Sequence, residues 1–264
     1  MFLSNLIQHL DATFHPEYQE DYDNSGFLLG DPRREVTGVL VAVDLTESVA
    51  AEAIERGFNL IATHHPFIFS GLKRITPDST AGRIVMKLVE HKVAVYAAHT
   101  NLDNLKNGVN GILSAHLGLE HCSILRPQHA DAEVGAGMVG TLPYPVPTVQ
   151  FLEQLKASLH LPAMRVVKGA LEIRSSIHKV ALCGGAGKFL IGDAIAAGAD
   201  IYVTGDLKYH DFQEAEGRIV LVDVGHYESE QLSRTLLAGT VDTLSNGQFE
   251  TAIATACDRW EEWI

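Results

Sequence analysis

The sequence is short of several things, and each shortage narrows what it can do. Its 264 residues include only three cysteines, Cys122, Cys183 and Cys257, with no Cys-x-x-Cys pair. An odd, unpaired set fits free thiols in a reducing compartment and argues against a thiolate metal site. Prolines number 9 and charged residues make up 20%, against 46% hydrophobic residues, which excludes a mostly disordered chain. Basic residues are scarce: 20 against 33 acidic ones, for a net charge of −13. With no basic stripe, neither a nucleic-acid backbone nor an anionic membrane surface is an expected partner. An anionic substrate would need a local positive centre, which a metal can supply. No apolar run approaches the ~18 residues that span a bilayer. The opening MFLSNLIQHLDATFHPEY has no basic start and breaks its apolar run at Gln8, His9 and Asp11, unlike a secretory signal. The expectation is a cytoplasmic protein with one large α/β domain or two small ones.

What is present is an alternation of two hydrophobic periods. Phe2, Leu3, Leu6, Ile7 and Leu10 predict a helix over 2–14 with Ser4 as its cap. In the polar loop that follows, Asp23-Asn24-Ser25-Gly26 reads as a turn. Strands are predicted over 36–44, 59–63 and 93–98, and helices over 47–56, 80–91 and 108–117. Thr46 caps the first of these helices and Gly57 ends it. The pattern then recurs: a strand over 134–141, a stiff proline-rich connector over 142–148, and a helix over 149–159 capped by Thr148. Strands over 179–183, 200–204 and 219–224 alternate with helices over 189–197, 207–215 and 227–238, before a last strand over 248–256. Such alternation predicts an α/β class with parallel sheets covered on both faces.

The recurrence goes down to residues. AIERGFNLIATHH (53–65) aligns with AIAAGADIYVTGD (194–206), and VYAAHTNLD (95–103) with VDVGHYESE (222–230). In the second pair a His ends a strand and an acid follows four residues later: His99 with Asp103, His226 with Glu230. The reading is a duplication into two similar α/β halves, 1–125 and 126–264, lining a shared site, with elements free to cross between them.

In α/β sheets ligands gather beyond the carboxyl ends of strands. This chain places His64, His65, His99, Asp103, Asp206, His226 and Glu230 there. One such residue is ordinary, whereas seven at four strand ends point to a metal site. Neighbours on an extended chain point in opposite directions, so His64 and His65 are expected to serve two different ions. Asp103 and Glu230 are then the acids to bridge them, and a helix starting near 226 would put His226 and Glu230 on one face. Mixed imidazole and carboxylate donors favour Zn, Fe, Mn or Ni over Mg or Ca. Two ions ~3.5–4 Å apart activate a water and polarise the group it attacks, as in hydrolases of amide-like, amidine-like or phosphate groups. His210 either faces this site or is solvated. GGAGK (184–188) lacks the full phosphate-loop pattern and reads as a tight turn. The remaining eight histidines, His129 among them, share no pattern and read as surface residues.

Seven motifs in order carry a resemblance: DNSGFLLGDP (23–32), VAVDLT (41–46), THHPFIF (63–69), AAHTNLD (97–103), CGGAG (183–187), TGDLKYHD (204–211) and DVGHYESE (223–230). Together they resemble the GTP cyclohydrolase I type 2 family, also described as NIF-three-like or dinuclear-metal-centre proteins. The closing IATACDRWEEWI matches less well. The resemblance implies two similar α/β domains with a metal cleft between them. It also implies two divalent ions held by His64, His65, Asp103, His226 and Glu230, and a homohexamer. His99 and Asp206 would then brace the ligands or face the substrate. The implied activity is metal-dependent hydrolysis of a small molecule, a nucleotide or related heterocycle. The alternative is a metal-handling or regulatory protein without turnover.

Overall fold

The computed structural model describes residues 1–128, 131–215 and 217–261, with the backbone alone at 131 and 132. Leu3, Leu6, Leu10 and Phe14 line the buried face of α1 (Leu3–Phe14) at helical spacing. Ser4 does not cap this helix. It lies inside it, because the first free N–H groups, those of Leu3 and Ser4, are taken by the carbonyls of Arg34 and Pro32. Along the chain follow β1 (Gly26–Leu29), β2 (Gly38–Ala42), α2 (Glu47–Glu55), β3 (Leu60–Thr63), α3 (Thr80–His91), β4 (Ala94–Ala97), α4 (Thr100–Asn104), α5 (Val109–His116), β5 (Glu120–Gln128), β6 (Asp131–Pro147) and α6 (Thr148–Ser158). Next come β7 (Arg165–Val166), α7 (Ala170–Ile173), β8 (Ser176–Ala186), α8 (Ile191–Ala196), β9 (Ile201–Gly205), α9 (Tyr209–Glu214), β10 (Val220–Asp223), α10 (His226–Glu230), α11 (Ser233–Ser245) and β11 (Glu250–Ile253).

The chain divides into two units, Met1–Leu102 with Ser233–Ile264, and Asp103–Leu232. This differs from the expected division at 125/126. The helix expected over 227–238 is interrupted between α10 and α11, and the chain there returns to the first unit. β11 pairs in parallel with β2, giving that buried strand a second neighbour for its backbone groups.

The first unit holds a five-stranded sheet in the order β1-β4-β3-β2-β11, with β1 antiparallel at one edge and the rest parallel. β2, β3 and β4 are buried along their whole length, as parallel strands covered on both faces require. Val49, Ala50 and Ala53 of α2, with Ile84 and Leu88 of α3, pack on Leu40, Ile61 and Val95. Each large aliphatic side chain so buried contributes roughly 1.5–3 kcal/mol. Thr46 caps α2 as predicted, its hydroxyl accepting from the Val49 N–H at 3.2 Å.

The second unit holds a six-stranded sheet, β5-β6-β8-β9-β10-β7, with β8, β9 and β10 parallel. Its two faces are fed by alternate residues. Ile201, Val203, Val220 and Val222 join Phe151 and Leu155 in one core, while Tyr202 and Leu221 join Ile191, Ala194 and Ala215 in the other. The expected proline-rich connector is instead strand: β6 runs to Pro147, and Val146 and Pro147 pair with Ile177 and Ser176 of β8. Pro143, Pro145 and Pro147 alternate, so the lost N–H donors fall on one side of the strand. Thr148 opens α6 without capping it, its hydroxyl donating to the Arg174 carbonyl at 2.6 Å. Among the described residues no helix is long and apolar enough to cross a membrane.

Both sheets contain one four-strand order, β1-β4-β3-β2 and β7-β10-β9-β8, with an antiparallel strand at the outer edge of each. The strands aligned by the sequence repeat occupy matching places: β3 with β9, and β4 with β10.

Candidate functional site

In the first unit, neighbouring parallel strands deliver imidazoles to one end of the sheet. β3 leads into His64 and His65, and β4 leads through Ala98 to His99. The ring centroids of His64 and His65 lie 4.9 Å apart, and each is 5.4 Å from His99. The expected opposite pointing of His64 and His65 does not occur. Strand geometry stops at Thr63, whose hydroxyl donates to the His65 carbonyl at 2.8 Å, and the bend leaves the two rings side by side.

All three rings are fixed through Nδ1. His64 donates to the Ala98 carbonyl at 2.8 Å, His65 to Asp44 at 3.0 Å and His99 to Asp23 at 2.7 Å. Carbonyl and carboxylate oxygens only accept, so the proton sits on Nδ1 and the lone pair of the neutral ring on Nε2. The Asp23 side chain is fully buried and also accepts from the Thr100 N–H and from the Ser25 and Thr100 hydroxyls. Burial would raise its pKa, but the hydrogen bonds from His99 and Thr100 outweigh it and hold the carboxyl well below its usual range. The Asp23-Asn24-Ser25-Gly26 stretch, expected to be a turn, is thus the scaffold of His99. Sequence reasoning missed Asp23 and Asp44 as partners of these rings. The available signal was that both lie inside the motifs that carry the resemblance, DNSGFLLGDP and VAVDLT.

In the second unit, His226 opens α10 and Glu230 follows one turn later on the same face, as the spacing predicted. His226 Nε2 is 3.1 Å from Glu230 Oε2, and Nδ1 is 2.8 Å from Asp206 Oδ2 at the end of β9. Burial opposes a charge on this ring, but the hydrogen bonds to Asp206 and Glu230 outweigh it and raise the pKa to about 11. The same hydrogen bond lowers the pKa of Asp206. The ring thus lies between two acids, Asp206 on one nitrogen and Glu230 on the other.

Glycine lets the backbone of β8 approach Glu230. A Cβ on Gly185 would stand 2.2 Å from Glu230 Oε1, and its φ is +62°. The Gly185 N–H donates to the Ser229 hydroxyl at 2.9 Å, which donates to the His226 carbonyl at 2.7 Å. Asn110 ties in Asp103: its amide donates to the Asp103 carbonyl at 3.0 Å, and its oxygen accepts from the Gly184 N–H at 2.9 Å. Burial first, then the charges of Asp103 and Glu230, push the Cys183 thiol up, so it stays neutral. The GGAGK turn holds no free cation for a phosphate, since Lys188 Nζ lies 2.6 Å from Asp211 Oδ1. His210 stands apart: it is exposed, its ring meets Tyr209, and among the described residues no contact joins it to Asp206 or His226. The other histidines are exposed or half-buried, except that His129 lies outside the described residues.

The donor chemistry fits divalent ions. The four imidazoles give Nδ1 to a carbonyl or carboxylate, the outer partners that orient metal-binding histidines. Imidazole and carboxylate, the donor types that each unit presents, suit Zn, Fe, Mn or Ni.

Two α/β units sharing one strand order, each ending in imidazole and carboxylate groups, define the class of protein. A family model described as Duf34/NIF3 (NGG1p interacting factor 3) matches residues 1–258. A Clostridium perfringens protein named GTP cyclohydrolase 1 type 2 homolog is 34% identical over 233 residues, 87% of each chain. A Streptococcus pneumoniae protein of the same name is 35% identical over 230 residues, 86% of this chain and 85% of its own. A solved Staphylococcus aureus structure superposes over 100% of this chain and 99% of its own, with a TM-score of 0.90 and 28% identity. The chain belongs to the Duf34/NIF3 family.

Proposed function

We propose that the chain binds two divalent metal ions through His64, His65, Asp103, His226 and Glu230 and acts as a metal-dependent hydrolase on a nucleotide or related heterocycle. One observation carries this reading: each imidazole of the set is anchored through Nδ1, on the Ala98 carbonyl, Asp44 or Asp206, the arrangement that orients metal-binding histidines. The relatives named GTP cyclohydrolase 1 type 2 homolog favour a nucleotide as the substrate.

Such ions supply Lewis acidity and an activated water near neutral pH. The chain's own residues hold and orient. The Ala98 carbonyl and Asp44 fix the rings of His64 and His65, and Asp206 fixes His226. Asp103 and Glu230 each offer two oxygens, enough to bridge two cations. His99 keeps its Nδ1 proton on Asp23, so its Nε2 is the acceptor for a proton released in the reaction.

The test reconstitutes the protein with Zn, Fe, Mn or Ni and measures metal content, calorimetric binding and hydrolysis across a nucleotide panel. Two ions per chain and turnover with one metal are expected. Asp103→Ala should disturb both ions, and His64→Ala or His65→Ala mainly one. No turnover with any metal, with ready transfer of metal to an acceptor, would move the reading to metal handling. The homohexamer belongs to the same proposal: light scattering should return about six times 28.7 kDa, and a monomer at low and high salt would overturn it.

A further inference from the structure

We infer that a cavity of about 660 Å³ in the second unit, lined by Arg165, Lys168, Tyr209 and Phe212, binds a small molecule built of a flat aromatic ring carrying an anionic group. Its size lies in the range of small-molecule sites. One wall is the edge strand β7 and the residues after it, which supply Arg165, Val167 and Lys168. The opposite wall is α9, where Tyr209, Phe212 and Gln213 fall at i, i+3 and i+4 on one face.

Charge and shape agree on the ligand. The chain carries a net charge of −13, yet two cations line this cavity. Lys168 has no ion pair among the described residues. Arg165 uses a single nitrogen, Nη2, for both the Asp223 carboxylate and the Leu207 carbonyl. Its remaining N–H groups have no hydrogen-bond partner among the described residues, and the side chain is 57% exposed. A guanidinium with free N–H groups matches a carboxylate or phosphate, the more so when held over a ring. Here it lies 5.6 Å from the centre of Phe212. Tyr209 is 82% exposed, a flat apolar face that folding leaves uncovered beside the two cations. One exposed aromatic residue means little; an aromatic face, a cation over a second ring and a lysine around one cavity form a stacking and anion-binding set.

The cavity's wall is tied to the proposed metal ligands. Asp223, held by Arg165, also accepts the Leu207 N–H at 3.1 Å and the Gly225 N–H at 3.0 Å. One carboxylate thus joins the loops that carry Asp206 and His226, at the carboxyl ends of β9 and β10 where α/β sheets take their ligands. On the proposed hydrolase reading, the cavity holds the anionic end of the substrate. Binding itself does not depend on that reading.

The test titrates phenyl phosphate, benzoate, inorganic phosphate and benzyl alcohol into the metal-free full chain by calorimetry. Phenyl phosphate or benzoate should saturate one site, and the tighter of the two tells whether the anion is a phosphate or a carboxylate. Inorganic phosphate and benzyl alcohol, each half of the ligand, should bind at least tenfold more weakly. Lys168→Met and Tyr209→Ala alter exposed side chains and should each weaken binding about tenfold. Arg165→Met should weaken it further, although it also frees Asp223. Equal binding by wild type, K168M and Y209A would overturn the inference, as would inorganic phosphate binding as tightly as phenyl phosphate. If the aromatic anions bind and K168M weakens them while no metal gives turnover, the hydrolase reading falls and the site stands. Turnover without aromatic-anion binding removes the site alone.

Discussion

In the first unit the shared strand order ends in His65 and His99, and in the second in Asp206 and His226. The repeat sets His65 against Asp206 and His99 against His226. The second unit therefore finds its carboxylate within the repeat: Asp206 meets His226 at 2.8 Å. In the first unit that place holds an imidazole, and His99 takes its carboxylate from Asp23, in the loop ahead of β1. The difference teaches that the duplicated framework sets where a ring sits, while the acid behind it can come from elsewhere. It also separates exposure, since the Asp23 side chain is 0% exposed and that of Asp206 is 54% exposed.

The strongest way to break this comparison is to remove each acid. Asp23→Ala leaves the Thr100 N–H and the His99 ring without their acceptor in a buried place, so it should cost about 3 kcal/mol of stability, read by urea unfolding. Asp206→Ala should cost under about 1 kcal/mol, because the acid is exposed. Both should lower divalent-ion affinity by roughly 10–100-fold. Equal destabilisation would mean that the borrowed acid and the internal one do the same structural work.

Gly185→Ala should come next, at about 2 kcal/mol, from its φ of +62° together with a Cβ pressed on the Glu230 carboxylate. Metal binding should fall with it, and unchanged binding would show that Glu230 is free to move aside. Asp258→Ala probes the first unit alone. The buried carboxylate accepts the Val43 N–H at 2.9 Å beside Asp44, so about 1–2 kcal/mol should be lost, read as a lower Tm.

The smallest effect is acid sensitivity, which each unit carries at its own carboxylate. Burial opposes ionisation of both Glu52 and Asp211. Hydrogen bonds from the Ala256 N–H and Arg56 to Glu52, and from Lys188 to Asp211, outweigh it and lower both pKa values. The stabilisation is complete above the ordinary values, 4.5 for Glu and 3.8 for Asp, and is lost as pH falls through the lowered ones. Glu52→Gln should flatten the fall of Tm below about pH 4.5, and Asp211→Asn below about pH 3.8. A fall as steep as in wild type would remove that role.

The sequence made the central strands legible because β2, β3, β4, β9 and β10 are continuous apolar runs bounded by helix signals. Edge strands were not. β1 lies in a stretch rich in turn formers, and β5 (EHCSILRPQ) is largely exposed, so neither shows the burial pattern that marks a strand. β11 was found, but its partner β2 is some 200 residues earlier, a pairing that no local pattern encodes. In the site, strand-end position exposed the histidines and acids. It could not show that Thr63 ends the strand and turns His64 and His65 side by side. Nor could it pair His65 with Asp44, 21 residues away, or His99 with Asp23, 76 residues away, since those contacts depend on the folded sheet.

The return of α11 and β11 to the first sheet has a consequence for synthesis. On the ribosome, all the residues of the second unit emerge before the segment that completes the first. The second unit is one uninterrupted stretch and can close on itself as soon as it is made. Until residues 250–253 arrive, β2 presents an unpaired, wholly apolar edge, the kind of strand that invites pairing between chains. The interval in which this protein is most prone to aggregate therefore runs from the emergence of β2 until residues 250–253 follow, across the whole synthesis of the second unit.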